Sequence, residues 1–138
     1  MDETKREWVR SWLIKAHSDL RSARELSAVA DPPTDTAIYH CQQAAEKAVK
    51  AYLANRDQPL QRTHDLETLL GLAAALEPGF ATLQAAAEVL NPYSTAFRYP
   101  GFGDTLFPSA AELATALENA DRMYQFALTC IPRECHPA

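Results

Sequence analysis

Prolines cut this chain into stretches that each carry a helical stripe. The breaks fall at Asp31-Pro32-Pro33, Pro59, Glu77-Pro78-Gly79, Asn91-Pro92, Pro108 and Pro132. Proline has no backbone N–H and disfavours helix in the residue before it, so each break marks where a helix ends or begins. Between the breaks apolar residues recur at steps of three and four, the period of an amphipathic helix.

From about Lys5 to Ala30 the stripe is Val9, Leu13, Ala16, Leu20, Ala23, Ser27 and Ala30, widened by Trp8 and Trp12. A second helix begins near Thr34 or Asp35, either placed to cap exposed amides, and runs to about Arg56 with Ile38, Cys41, Ala45, Ala48, Val49 and Tyr52 on one face. Thr63 is placed to cap a third helix carrying Leu66, Leu69, Leu70, Ala73 and Leu76. Ala81 to Leu90 reads as a shorter fourth helix. Tyr93 to Phe107 holds no sustained period and reads as an irregular connection with one helical turn around Ser94 to Phe97. Ser109 and Glu112 form a capping-box pattern that opens the final helix, along which Leu113, Leu117, Ala120, Tyr124, Ala127 and Ile131 continue the stripe.

With only four glycines and few β-branched residues beside many Ala, Leu and Glu, helix propensity dominates throughout. The expected fold is all-α: an up-and-down antiparallel bundle of four main helices plus short helical pieces. One domain over 1–138 is expected, with its core over about 5–131 and 132–138 as a frayed tail. The longest apolar runs, such as Gly71 to Leu76, fall far short of the roughly 20 residues that span a bilayer. The start, Met1 to Arg6, lacks the apolar segment of a secretory signal, so no membrane and a cytoplasmic location are expected. Cys41, Cys130 and Cys135 do not form a disulfide framework, and Cys130, Cys135 and His136 lack a fourth ligand, so no metal site is expected. A formal charge of -5 argues against broad nonspecific nucleic-acid binding, while leaving room for a local basic cleft.

Three polar clusters stand out. On the second helix Tyr39, Gln43, Glu46, Lys47 and Lys50, with His40 at the margin, gather opposite the apolar stripe. They read either as a solvated face with a Glu46–Lys50 pair or as part of a site. Gln42 falls in the apolar arc, where a buried amide needs a partner from a neighbouring helix or loop. Thr63-His64-Asp65 opens the third helix: Thr63 and Asp65 suit capping, and His64 suits an acid, a base or a phosphate contact. In the irregular connection Arg98 sits among aromatics, placed either to present its guanidinium to a phosphate or to anchor the segment on Glu46 or Asp65. Ala37, Ala44 and Ala51, seven apart, offer small side chains either to a second subunit or to the interior of one.

Taken in order, His40-Cys41-Gln42-Gln43-Ala44-Ala45-Glu46-Lys47, Thr63-His64-Asp65-Leu66 and Ala96-Phe97-Arg98-Tyr99-Pro100 resemble the HEPN family (higher eukaryote and prokaryote nucleotide-binding), over roughly Leu13 to Ile131. The resemblance implies a helical bundle, usually a homodimer, that often works with a minimal nucleotidyltransferase, in some cases as a toxin-antitoxin-like pair. Some members are metal-independent ribonucleases marked by Arg, four to six residues, then His. Here Gly103, Asp104 and Thr105 stand where that histidine would fall, so the chain resembles the Arg-Tyr-Pro branch without the motif. Arg10 and His17 fit the spacing literally, but in the first helix and the wrong context, and are read as a chance match.

The resemblance therefore implies a noncatalytic module that binds a nucleotide or a nucleotidyltransferase, with no cofactor beyond a candidate nucleotide. The chemistry of the side chains, an Arg fork, Lys point charges, a switchable His donor and a Tyr ring, leads us to expect Gln43, Lys47, Lys50, His64, Arg98 and Tyr99 as ligand-binding residues on one cleft. The alternative is a ribonuclease acting on RNA with an atypical set, in which His64 or His40 stands in place of the missing histidine and His64 and Arg98 are the catalytic candidates.

Overall fold

A computed structural model describes residues 1–101 and 105–138. The described residues are helical with no strand: α1 Glu3–Ala28, α2 Thr34–Asn55, α3 Leu66–Leu76, α4 Gln84–Leu90 and α5 Ala110–Cys130, joined by 3-10 turns at Pro78–Leu83 and Asn91–Ser94. This is the all-α bundle that the stripes predict. No described helix is long and apolar enough to cross a membrane. Phe102, Gly103 and Asp104, which belong to the expected irregular connection, lie outside the described residues.

Local chemistry sets the ends. Asp2 opens α1 by accepting from the Lys5 N–H, and Asp31, at φ 50°, turns the chain before Pro32. At α2 neither Thr34 nor Asp35 is the cap: Pro33 takes that position without a side-chain bond, and Asp35 Oδ1 instead accepts from Thr36 N. At α3 the cap is Asp65, which accepts from Glu67 and Thr68, not Thr63, whose hydroxyl accepts from Asp65 N one step upstream. The expected fourth helix divides into the 3-10 turn and α4. Gly79 lets that turn approach α5, since a Cβ there would lie 2.8 Å from Phe126 Cζ. The capping box of Ser109 and Glu112 at α5 is complete.

α2 runs through the middle, packed on α1, α5 and α3. Of its 22 residues 15 are buried, so it behaves as a core helix rather than a surface one. Val9, Leu13, Ala16, Leu20 and Ala23 of α1 and Leu113, Ala116, Ala120, Met123, Tyr124 and Ala127 of α5 close around it. Beside its far end the Phe80 ring lies 4.6 Å from Tyr52 and 4.8 Å from Phe126, in edge-to-face or tilted contacts. Ala37, Ala44 and Ala51 are fully buried within this subunit, so they let its own helices approach and offer nothing to a partner.

The segment expected as a frayed tail carries a 3-10 turn, Arg133–Cys135, with Cys135 fully buried. The His136 ring lies 3.0 Å and 2.9 Å from the Leu128 and Ile131 carbonyls, which ties the turn to the end of α5.

Candidate functional site

The polar face of α2 is not solvated. Gln43, Glu46 and Lys50 are buried, and the Glu46–Lys50 pair forms inside the protein at 2.9 Å. The surrounding helices and the 57–65 loop cover the face, a fact that the period of one helix does not contain. Burial of a carboxylate demands partners. Glu46 takes three: Lys50 Nζ, Gln42 Nε2 at 3.3 Å and His64 Nδ1 at 3.1 Å. Gln43 Nε2 donates to Gln42 Oε1 at 2.7 Å, and Gln42 also reaches the His64 carbonyl at 3.4 Å, so the expected bond from a buried amide to a neighbouring loop is made.

His64 itself is exposed. A carboxylate can only accept, so the proton on Nδ1 points at Glu46, and Nε2 is left without a partner among the described residues. The imidazole is thereby held by a buried group while its other edge meets solvent.

Asn91 joins the third cluster to this one. Its Oδ1 accepts from Leu66 N at 2.7 Å and its Nδ2 donates to Asp65 Oδ1 at 3.1 Å, pinning the connecting segment to the start of α3. Asp65, bonded by the Thr68 backbone N–H and hydroxyl and then by Asn91 and Glu67, has its carboxyl held below the usual range. Downstream, Phe97 adopts φ 67°, a left-handed conformation uncommon for an aromatic residue, and turns the chain so that Arg98 lies over α2. The Arg98 guanidinium carbon is 4.0 Å from the Tyr39 ring centroid. It pairs with neither Glu46 nor Asp65, both of which are engaged as above, and with no other carboxylate among the described residues.

Tyr39, Gln43, His64, Ser94, Thr95 and Arg98 line a cleft of about 100 Å3. Of the six ligand-binding residues expected from sequence, Gln43, His64 and Arg98 thus share one cleft. The others lie elsewhere. Lys47 donates to Asp19 of α1 at 2.6 Å, Lys50 is committed to Glu46 beside the Trp12 ring, and Tyr99 is exposed, lining a separate hollow with Pro92, Thr95 and Ala96. Sequence reasoning missed Ser94, Thr95, Asn91 and Asp19. Asn91 carried a signal only as a residue before proline, and Asp19 was hidden as one acidic residue on an otherwise ordinary helix. Arg10 and His17 stand apart: Arg10 donates to the Glu134 carbonyl, and the His17 ring lies 6.0 Å from that of Tyr124.

Chemically, the cleft offers a guanidinium fork, an imidazole, an amide and three hydroxyls, those of Tyr39, Ser94 and Thr95. Its volume is below the roughly 300 Å3 of an ordinary small-molecule pocket, so it suits an anionic group rather than a whole ligand. Among the described residues no group of three metal-ligating side chains occurs.

The HEPN domain profile matches residues 9–131. The chain is similar to ST0689, an archaeal HEPN homologue, at 24% identity and a TM-score of 0.71, covering 88% of this chain and 95% of that one. It is also similar to TT1696 from Thermus thermophilus, at 28% identity and a TM-score of 0.76, covering 91% of this chain and 99% of that one. No curated protein matches. With the profile spanning nearly all of the bundle described above, the chain belongs to the HEPN domain family.

Proposed function

We propose that this HEPN protein is a dimeric binding module that receives a nucleotide phosphate, or an acidic loop of a minimal nucleotidyltransferase, in the cleft between α2 and the 91–98 segment, as one half of a toxin-antitoxin-like pair. The observation that carries the reading is Arg98, an exposed guanidinium held on the Tyr39 ring at the mouth of a cleft that also contains His64 and Gln43. A carboxylate partner among the described residues would have made it an anchor; the stack instead orients it and leaves its donors for an anion. Dimerisation rests on family membership alone.

A second reading, a metal-independent ribonuclease, is favoured by one feature: the His64 imidazole is oriented by buried Glu46 on the same cleft as Arg98. One set of measurements separates the two. Arg98→Ala is expected to lower nucleotide or partner affinity at least about tenfold, the order of a charge-assisted bond, while the folding midpoint stays put. Unchanged affinity in a folded variant defeats the binding reading. Cleavage of single-stranded RNA that survives chelator and disappears on His64→Ala establishes the ribonuclease instead.

A further inference from the structure

The Arg98–Tyr39 stack also borders a second hollow, about 310 Å3, lined by Asp35, Thr36, Tyr39, His40, Phe97 and Arg98. We propose that it is an anion subsite in which His40 is the proton-carrying ligand, and that a dianion of the sulfate or phosphate class binds there with uptake of a proton.

The argument begins behind the hollow. Asp19 of α1 is nearly buried, and its two oxygens are taken by Lys47 Nζ at 2.6 Å and His40 Nδ1 at 2.7 Å. A carboxylate only accepts, so His40 carries its proton on Nδ1, and Nε2 has no partner among the described residues. The ring is fixed by its anchored edge and lines the hollow with the rest of its face. Asp19 and Lys47 cancel in formal charge, so the lining itself decides what can bind. Among the described residues the lining holds one fixed cation, Arg98, and one fixed anion, Asp35, whose Oδ1 is turned to the amide of Thr36. With neutral His40 those charges sum to zero. Protonation gives the described lining a net positive charge and converts Nε2 from acceptor to donor on a ring that lines the hollow. Binding of an anion and protonation of His40 are therefore linked: each favours the other.

The subsite shares Arg98 with the cleft proposed above and rests on that reading to this extent, but it uses neither His64 nor Gln43. Sulfate is the probe, because it does not itself titrate between pH 5 and 8. Calorimetric titration of the full chain at pH about 5.5 and about 8, in buffers of different ionisation enthalpy, reads both affinity and proton uptake. Sulfate is expected to bind about tenfold more tightly at the lower pH with a proton taken up. His40→Gln, whose amide can still donate to Asp19, is expected to abolish both effects, and His64→Gln to keep them. If the parent chain binds no sulfate, or if His40→Gln keeps the pH dependence, the proposal is overturned. If His64→Gln removes it and His40→Gln does not, the second subsite is overturned while the first cleft stands. A measurement without any substitution guards against misfolding: the midpoint of the His40 Cε1–H resonance should move up in sulfate, and a midpoint that stays put also overturns the proposal.

Discussion

Lys50 Nζ donates to Glu46 Oε2 at 2.9 Å with both side chains buried. A solvated pair at this spacing contributes only a few tenths of a kcal/mol, whereas removing one partner of a buried pair leaves an uncompensated charge and costs about 3–5 kcal/mol. Glu46→Ala is therefore expected to lower unfolding free energy by about 3–5 kcal/mol in urea, with m unchanged. Adding Lys50→Met should recover part of it, because the uncompensated buried charge is removed while Gln42 and His64 remain without their acceptor. A loss below about 1 kcal/mol for Glu46→Ala would put the pair in water, contrary to its burial here.

The same pair shows where the sequence is legible and where it is not. Helix existence followed from proline breaks and apolar period, and the capping box at Ser109 from a local pattern, because each depends on neighbours a few residues away. The spacing of Glu46 and Lys50 was also legible. Their burial was not, since it depends on α1 and the 57–65 loop closing over a face that looks polar on its own helix. The cleft follows the same rule. Arg98 and His64 stood out by chemistry, but Asn91 brings their segments together through bonds to Leu66 and Asp65 some 25 and 26 positions away. Asp19 and His40, 21 apart, meet only once α1 and α2 pack.

Asp65 links stability to the cleft. Its carboxyl is held below the usual value of 3.8, first by the Thr68 backbone N–H and hydroxyl, then by Asn91 and Glu67. A depressed folded pKa gives stability that is present above the unfolded pKa and lost as pH falls through the folded one. Asp65→Ala should therefore lower the urea midpoint at neutral pH, with the gap to the parent chain closing as pH falls below 3.8. It should also weaken anion binding, because Asn91 loses one of its three ties, keeping those to Leu66 N and Glu67 Oε2. Asp65→Asn keeps a capping oxygen and should flatten the pH dependence. A gap of constant size from neutral to acid pH would show that the ionised carboxylate is not what holds the turn.

Cys41 gives the opposite sign at the alkaline end. It is fully buried on α2, and burial pushes its thiol from 9.0 up to about 12, against a smaller lowering by a backbone hydrogen bond. A raised folded pKa gives stability that is complete below the unfolded value and declines as pH rises towards the folded one. Between pH 9.0 and about 12 this thiol should therefore remove about 1.4 kcal/mol of stability per pH unit. Cys41→Ala should lose that slope while costing some packing at neutral pH, so the two unfolding curves should converge as pH rises. Near pH 8, where a thiol reagent still reads thiolate, only half-buried Cys130 should label in the native state. Cys41 and Cys135, whose thiol burial also raises, should label at the rate of unfolding, in step with loss of helix. Labelling of Cys41 as fast as Cys130 in the folded chain would mean that the centre of α2 opens to solvent without unfolding, and the account of α2 as the core helix would have to be abandoned.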